Sequence, residues 1–458
     1  VSLQKDDPNS HGAAKPVSLR LGTCEILQDC RNLQLLRLLR VPAPMNPDVR
    51  GNRNHILSEK VCRVTSTAQT TLPGAATDVA PESKSAKAET KPKKQGHFCI
   101  WHGLTFGTWL RLLASRPPMH WTSLPRLTSI TALSLLNSLN DLLESAILGG
   151  KIERQKVEHP PIFILGHWRS GTTLLHNLMT LDPQFTYPNL YQVMYPGNFL
   201  LTETVTTKLT GWVLPKTRPM DNIPTGWSLP QEDEMGLLVM TLLSPYLMLA
   251  HQGDPSKTCR FFDLSELTPD ERRLWRNSLM TFVKKLTVRS NKPIVLKSPS
   301  HTFRIPVLLE MFPNAKFVYI YRDPYAVYSS GMHLRRTLFQ ENGLGKPNYR
   351  GMEQEVLNVY ANCFETYEHT KHLIPAGRLH ELKFEELEAD PMGQMRKVYD
   401  ALGLGGWDQV EPKLQNELPA LNKYRKNTFN MDPDTMRRVY EHWRPSFEKY
   451  GYPSRLPE

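Results

Sequence analysis

The sequence has no C-x-x-C pair, and none of its six cysteines (Cys24, Cys30, Cys62, Cys99, Cys259, Cys363) lies beside a histidine pair at zinc spacing. Structural zinc needs four clustered thiolate or imidazole ligands, so metal-dependent folding is not expected. Disulfide frameworks belong to short, cysteine-dense secreted chains, and 458 residues with six cysteines do not fit that class. The cysteines therefore read as ordinary thiols in a reducing compartment, with the cytoplasm as the expected location. No apolar run reaches the length of a membrane-spanning helix. An acidic excess is also missing: 56 Lys and Arg stand against 45 Asp and Glu, a net charge of +11. A positive balance suits an anionic ligand, a nucleic acid or an acidic membrane surface, and does not choose among them. Apolar residues make up 40% of the chain, which excludes a wholly disordered protein.

Residues 1–97 differ from the rest. They scatter Pro, Ser, Thr, Asn and Lys without a long periodic segment, and their composition predicts a disordered tail. They hold 15 basic and 9 acidic residues, more than half of the total charge excess, which weakens a nucleic-acid reading of the remainder. The apolar cluster Leu33–Leu39 carries Arg37 and lacks small residues at a cleavage site, so it is a poor signal peptide. Residues 98–458 are expected to form one α/β domain, of which 98–158 is a helical N-terminal extension. Leu104–Leu113 predicts a short amphipathic helix. Ile130, Leu133, Leu136, Leu139, Leu142, Leu143 and Ile147 recur at helical spacing, with Asn137, Asn140, Asp141 and Glu144 opposite. This second helix is expected to pack on the domain, and the Trp101–Trp109 region is a candidate peripheral membrane or partner contact.

After Pro161 the rhythm changes. Ile162–Leu165, Ile294–Leu296, Phe317–Ile320 and, more weakly, Leu379–Phe384 are unbroken apolar runs, the pattern of strands buried on both faces. Helical patterns over Thr172–Leu181, Thr302–Met311, Tyr325–Leu334 and Pro391–Leu402 alternate with them. The combination predicts a parallel β-sheet flanked by helices.

The first strand runs into Gly166-His-Trp-Arg-Ser-Gly171-Thr-Thr. Gly166 and Gly171 have the spacing of a phosphate loop, whose backbone N–H groups approach an anion as the following helix N-terminus adds partial positive charge. Thr172 occupies the position where nucleotide-hydrolysing loops carry Lys, and the cation sits inside the loop as Arg169. A second anion element lies in Lys316–Gly331, where a strand ends at Arg322, Asp323-Pro324 turns the chain, and Ser330 follows Arg322 by eight residues.

Together these segments resemble the sulfotransferase superfamily, whose donor is 3′-phosphoadenosine 5′-phosphosulfate (PAPS). The similarity covers roughly residues 160–405, and its R-S-G-T-T form is closest to bacterial and protein-tyrosine sulfotransferases. It implies a P-loop-like α/β fold in which Arg169, Ser170, Gly171, Thr172 and Thr173 bind the 5′-phosphosulfate and Arg322 and Ser330 bind the 3′-phosphate. Lys297, in Ile294–Phe303, matches the family lysine that contacts the sulfuryl group and bridging oxygen. Leu382–Leu387 resembles the segment near the adenine, and Tyr424-Arg425-Lys426 a late basic element over the phosphates. The implied activity is transfer of a sulfuryl group to a hydroxyl, less readily an amine, without a metal.

The base is not settled by resemblance. Pro299 stands where cytosolic members have His, and Tyr187–Tyr195 contains no acid where tyrosine sulfotransferases have Glu. The candidates are His301, Glu232 and Glu234, the last two within an acidic cluster that would equally suit a helix N-terminus. His167 reads as structural. The acceptor stays open among carbohydrate, lipid, peptide and small alcohol or phenol, and nucleic acid is not expected. Two alternatives remain: a kinase-like phosphotransferase, disfavoured by Thr172, and a non-catalytic nucleotide-binding protein of the same fold.

Overall fold

The protein was analysed as a computed structural model, in which residues 99–218, 220–221, 223–423 and 430–456 are described. The expected tail, 1–97, and Tyr424-Arg425-Lys426 lie outside these residues. In chain order the elements are α1 (Phe106–Ala114), α2 (Leu124–Arg154), β1 (Ile162–Leu165), α3 (Thr172–Met179), α4 (Leu190–Met194), α5 (Phe199–Thr210), α6 (Asp233–Thr241), α7 (Pro269–Arg289), β2 (Val295–Lys297), α8 (Ile305–Met311), β3 (Lys316–Tyr321), α9 (Pro324–Asn342), α10 (Met352–Thr370), β4 (Leu379–Lys383), α11 (Phe384–Ala389), α12 (Pro391–Leu402), α13 (Trp407–Lys423) and α14 (Pro433–Tyr450).

The four strands form one parallel sheet in the order β2-β1-β3-β4. Ile164 pairs with Lys297 on one side and Val318 on the other, and Tyr321 pairs with Lys383 at the far edge. All of β1 is buried, as its unbroken apolar run requires. Phe163 stacks on Phe317 at 5.6 Å on one face of the sheet. On the other, Ile164, Val318 and Leu382 pack with Leu175, Met395 and Val398 from α3 and α12. The chain leaves β1 toward β2 but leaves β3 toward β4. The connections therefore diverge between β1 and β3, the place where an open parallel sheet forms its ligand crevice.

The expected strands and helices sit where the periodicity puts them, with two differences in the second half. The helix expected over Tyr325–Leu334 runs on to Asn342. The helix expected over Thr302–Met311 begins at Ile305, because Pro299–Phe303 forms a separate tight turn.

The N-terminal helices depart further from expectation. Trp101 is 0% and Trp109 2% exposed. Trp101 donates its indole N–H to Asn342 O (2.6 Å) and Trp109 to Thr131 Oγ1 (3.0 Å). This segment is core, so the membrane or partner contact expected at Trp101–Trp109 is corrected. Helix α2 contains the expected Ile130–Ile147 stretch but runs from Leu124 to Arg154, and its orientation is opposite: its polar side faces the protein. Asn137 donates to the carbonyls of His102 and Leu104 (2.9 and 3.0 Å). Asp141 accepts from Asn198 (2.6 Å), and Glu144 pairs with Lys285 at 2.5 Å while accepting Leu201 N–H. The leucine stripe is left outside.

Among the described cysteines, Cys99 and Cys363 are buried free thiols. No described helix is long and apolar enough to cross a membrane.

Candidate active site

The loop from β1 to α3 closes the crevice. Gly166 has φ +140°, and a Cβ there would lie 2.5 Å from Ile320 O. Gly171, at φ +101°, is tighter still, since its Cβ would meet the Phe384 ring at 2.2 Å. Both positions need a residue without a side chain. Arg169 itself adopts φ +72°. Left-handed backbone at Arg169 and Gly171 turns this segment onto the N-terminus of α3. Thr302 closes the other side, accepting Gly166 N–H at 2.9 Å.

One cavity of about 2050 Å³ gathers Arg169, Gly171, Thr172, Thr173, Arg322 and Ser330 on its wall. Arg169 Nε donates to Ser330 Oγ (2.7 Å), and Arg322 Nη1 donates to Arg169 O (3.2 Å). The two sequence-predicted anion elements are thus one constellation spanning the β1–β3 divergence. Ser170 is the exception: it is buried, and its hydroxyl donates to His167 O (2.8 Å), holding the loop's shape. Arg322 also lies over the Phe384 ring at 4.2 Å, a cation–π contact that orients the guanidinium. Burial lowers the pKa of Arg322, partly offset by Glu385.

The acidic cluster Glu232-Asp233-Glu234 starts α6, and successive positions on a helix start point in different directions. Each carboxylate therefore meets a different basic side chain, from the end of β2 or from the segment that follows it. Glu232 Oε1 contacts Lys297 Nζ at 2.7 Å, Asp233 contacts His301 Nε2 at 2.6 Å, and Glu234 contacts Arg304 at 2.5 Å. The inner two pairs are fully buried. Arg304 is further tied to the carbonyls of Phe261 and Phe262 and lies over the Trp275 ring. His301 rests with its edge on Phe163. Glu232 lines the cavity, whereas Glu234, His301 and Lys297 do not, and Lys297 meets it through its contact with Glu232.

Lys297 is buried beneath Glu232. Burial lowers its pKa, and the Glu232 carboxylate opposes that shift. The other oxygen of Glu232 accepts from Tyr246 OH, which in turn accepts Trp168 Nε1–H at 2.8 Å. His167, expected to be structural, is buried against Tyr360, and burial lowers its pKa to about 3.

Sequence reasoning missed several wall residues. Asp221 bridges Arg169 (2.8 Å) and Arg218, presetting two guanidinium groups beside the loop. Arg455 returns from the chain's end to pair with Asp323 and lines the same cavity. Tyr246 completes the set. These residues come from irregular segments or distant helices, and no local spacing announces them. Among the described residues, no group of three or more His, Cys, Asp or Glu side chains is placed to hold a metal ion.

A glycine loop on a buried parallel strand, beside a second arginine–serine element and a lysine–glutamate pair, is an arrangement suited to an α/β group-transfer enzyme. Residues 160–409 match the Sulfotransferase family, and the chain belongs to it. It is 37% identical over 360 residues to omega-hydroxy-beta-dihydromenaquinone-9 sulfotransferase Stf3 of Mycobacterium bovis and of Mycobacterium tuberculosis, covering 78% of this chain and 92% of theirs. Among solved structures it resembles the sulfotransferase STF9 from Mycobacterium avium, at TM-score 0.58 and 18% identity over 77% of this chain and 91% of that one. It also resembles STF1 from Mycobacterium tuberculosis, at TM-score 0.52 and 16% identity over 74% and 90%. These likenesses agree with the α/β fold, and the protein is a sulfotransferase.

Proposed function

We propose that the protein transfers the sulfuryl group of PAPS to a hydroxyl of an apolar, lipid-like acceptor, with Glu232 as the base. The observation that carries this reading is the lining of the cavity. Its volume of about 2050 Å³ exceeds the roughly 300–1,000 Å³ of ordinary small-molecule pockets, leaving room for a donor and a second molecule. One part of the wall is cationic and hydroxyl-bearing. Another is apolar, with Leu133, Met194, Val213, Leu214, Ile223 and Leu249. Glu232 lines the same cavity. The 37% identical Stf3 proteins, named for a menaquinone derivative, support an acceptor of that chemical kind.

In the proposed reaction, backbone N–H groups of the loop, Thr172, Thr173 and Arg169 hold the phosphosulfate, while Arg322 and Ser330 hold the 3′-phosphate. The cradle fits such a group, because Arg169, Thr172, Thr173, Arg322 and Ser330 on its wall all carry donors. Glu232 takes the proton of the acceptor hydroxyl as the new S–O bond forms and the S–O bond to the nucleotide phosphate breaks. Lys297 offsets the charge that builds on the departing oxygen, assistance concentrated in the transition state.

The test is twofold. Calorimetry is expected to show 3′-phosphoadenosine 5′-phosphate binding more tightly than adenosine 5′-phosphate, with the preference lost in Arg322→Ala; equal affinity of the native protein for both removes the 3′-phosphate assignment. Labelled PAPS should sulfate long-chain prenyl or quinone alcohols and leave soluble sugars unlabelled; the reverse preference overturns the acceptor class.

A further inference from the structure

The exposed side of α2 is apolar along nearly its whole length. Leu124, Leu135, Leu136, Leu139, Leu142, Leu143 and Ile147 each expose about half or more of their surface, and Ala132 and Ala146 fill the same stripe. From Leu124 to Ile147 this band runs roughly 35 Å at 1.5 Å per residue. Helix α5 packs against α2, its start tied down where Leu201 N–H meets Glu144. It carries a second exposed series: Leu201, Val205, Leu209 (67%) and, just past its end, Trp212 (85%). Trp121, before α2, is 74% exposed. So large an apolar surface is uncommon on a protein that meets only water.

The charges around this surface are sorted by sign. Between Leu104 and Gly150 the acids are Asp141 and Glu144, and between Phe199 and Arg218 there is only Glu203. All three point inward, to Asn198, to Lys285, and to Asn189 and Gln192. Arg111, Arg116, Lys208 and Lys216 in the same segments are exposed. The last turn of α2 adds Lys151 and Arg154, with Glu153 as the one exposed acid there. Leucines flanked by cations and exposed indoles form the pattern of a helix lying in the headgroup region of an anionic bilayer.

The apolar surface also continues into the cavity. Ser129 and Leu133 of α2 and Val213 and Leu214 after α5 belong to both the helical layer and the cavity wall. We propose that the outer faces of α2 and α5 dock on an anionic lipid bilayer, so that the cavity opens beside the membrane and an acceptor with an apolar tail passes into it without crossing water. The entry route rests on the lipid-acceptor reading; docking itself does not, and is measured without donor or acceptor. The predominance of exposed cations, with Glu153 the one exposed acid, favours an anionic bilayer over a second copy of this chain, which would bring the same cations face to face.

The experiment is flotation of the full chain with vesicles of phosphatidylcholine alone and of phosphatidylcholine with phosphatidylglycerol. Binding is expected to the anionic vesicles, weaker on the neutral ones, and reduced by salt. Leu139→Glu with Leu143→Glu, and separately Leu209→Glu, should lower the partition coefficient by at least about tenfold per residue, since each leucine loses its transfer from water. Binding of 3′-phosphoadenosine 5′-phosphate by the same variants should be unchanged, which shows that they fold. No flotation with either vesicle, or flotation indifferent to these substitutions, overturns the proposal. So does a native dimer in light scattering that the leucine substitutions convert to monomer, because a second copy then covers the face. Failure to sulfate lipid alcohols with vesicle binding intact would refute the acceptor class and leave docking standing.

Discussion

Glu232 and Glu234 are two residues apart and chemically identical, yet the same substitution should do opposite things to them. Glu234→Gln leaves Arg304 without a counter-charge at a site with no solvent exposure. Arg cannot shed its proton there, and removing one partner of a buried pair costs about 3–5 kcal/mol. Arg304 keeps the Phe261 and Phe262 carbonyls and the Trp275 ring, and glutamine retains one acceptor, so the lower end, about 3 kcal/mol, applies. With an unfolding entropy of about 2 cal/mol/K per residue over roughly 350 described residues, the midpoint should fall by about 4 °C. Turnover below that temperature should be close to native. Glu232→Gln also strips a cation of its partner, but Lys297 has a pKa already lowered by burial and can lose its proton. Its thermal shift should stay within about 2 °C. Sulfuryl transfer from labelled PAPS, by contrast, should drop about 10²–10⁴-fold. Thermal melts with and without 3′-phosphoadenosine 5′-phosphate, read beside steady-state turnover, separate the two. If Glu232→Gln turns over normally while Glu234→Gln melts normally and is inactive, the assignment of the base is wrong.

Gly171→Ala should abolish donor binding, because the added Cβ falls 2.2 Å from Phe384 in a backbone with φ +101°; calorimetric affinity for 3′-phosphoadenosine 5′-phosphate near the native value would refute the cradle. Stability should also fall with acid. Burial lowers the pKa of His102 to about 4, from an ordinary 6.5. A lowered pKa means the unfolded state binds the proton first, so the stability is complete above about pH 6.5 and is lost as pH falls toward 4. The loss attributable to His102 is about 2 kcal/mol at pH 5. His102→Asn should flatten the denaturation profile between pH 7 and 5; an unchanged slope would show that other groups set it.

What the sequence determined by itself was everything that depends on neighbours along the chain. Four apolar runs specify buried parallel strands because only such strands lack a polar face. Glycines at 166 and 171 before a helical pattern specify a tight strand-to-helix loop because the backbone there must adopt left-handed conformations. Arg322 and Ser330 follow from the same strand-to-helix logic. Tertiary structure decided what depends on residues far apart in sequence. The cluster Glu232-Asp233-Glu234 looks uniform in one dimension; packing α6 against the segment after β2 buries two of its carboxylates against His301 and Arg304 and leaves the third on a cavity. Helix α2 makes the point most sharply. Its period is legible, but periodicity says only that two faces differ, not which one turns inward. Lys285, Asn198 and the carbonyls of His102 and Leu104 offer enough charge and hydrogen bonds to draw the polar face in, and so the leucines are left outside.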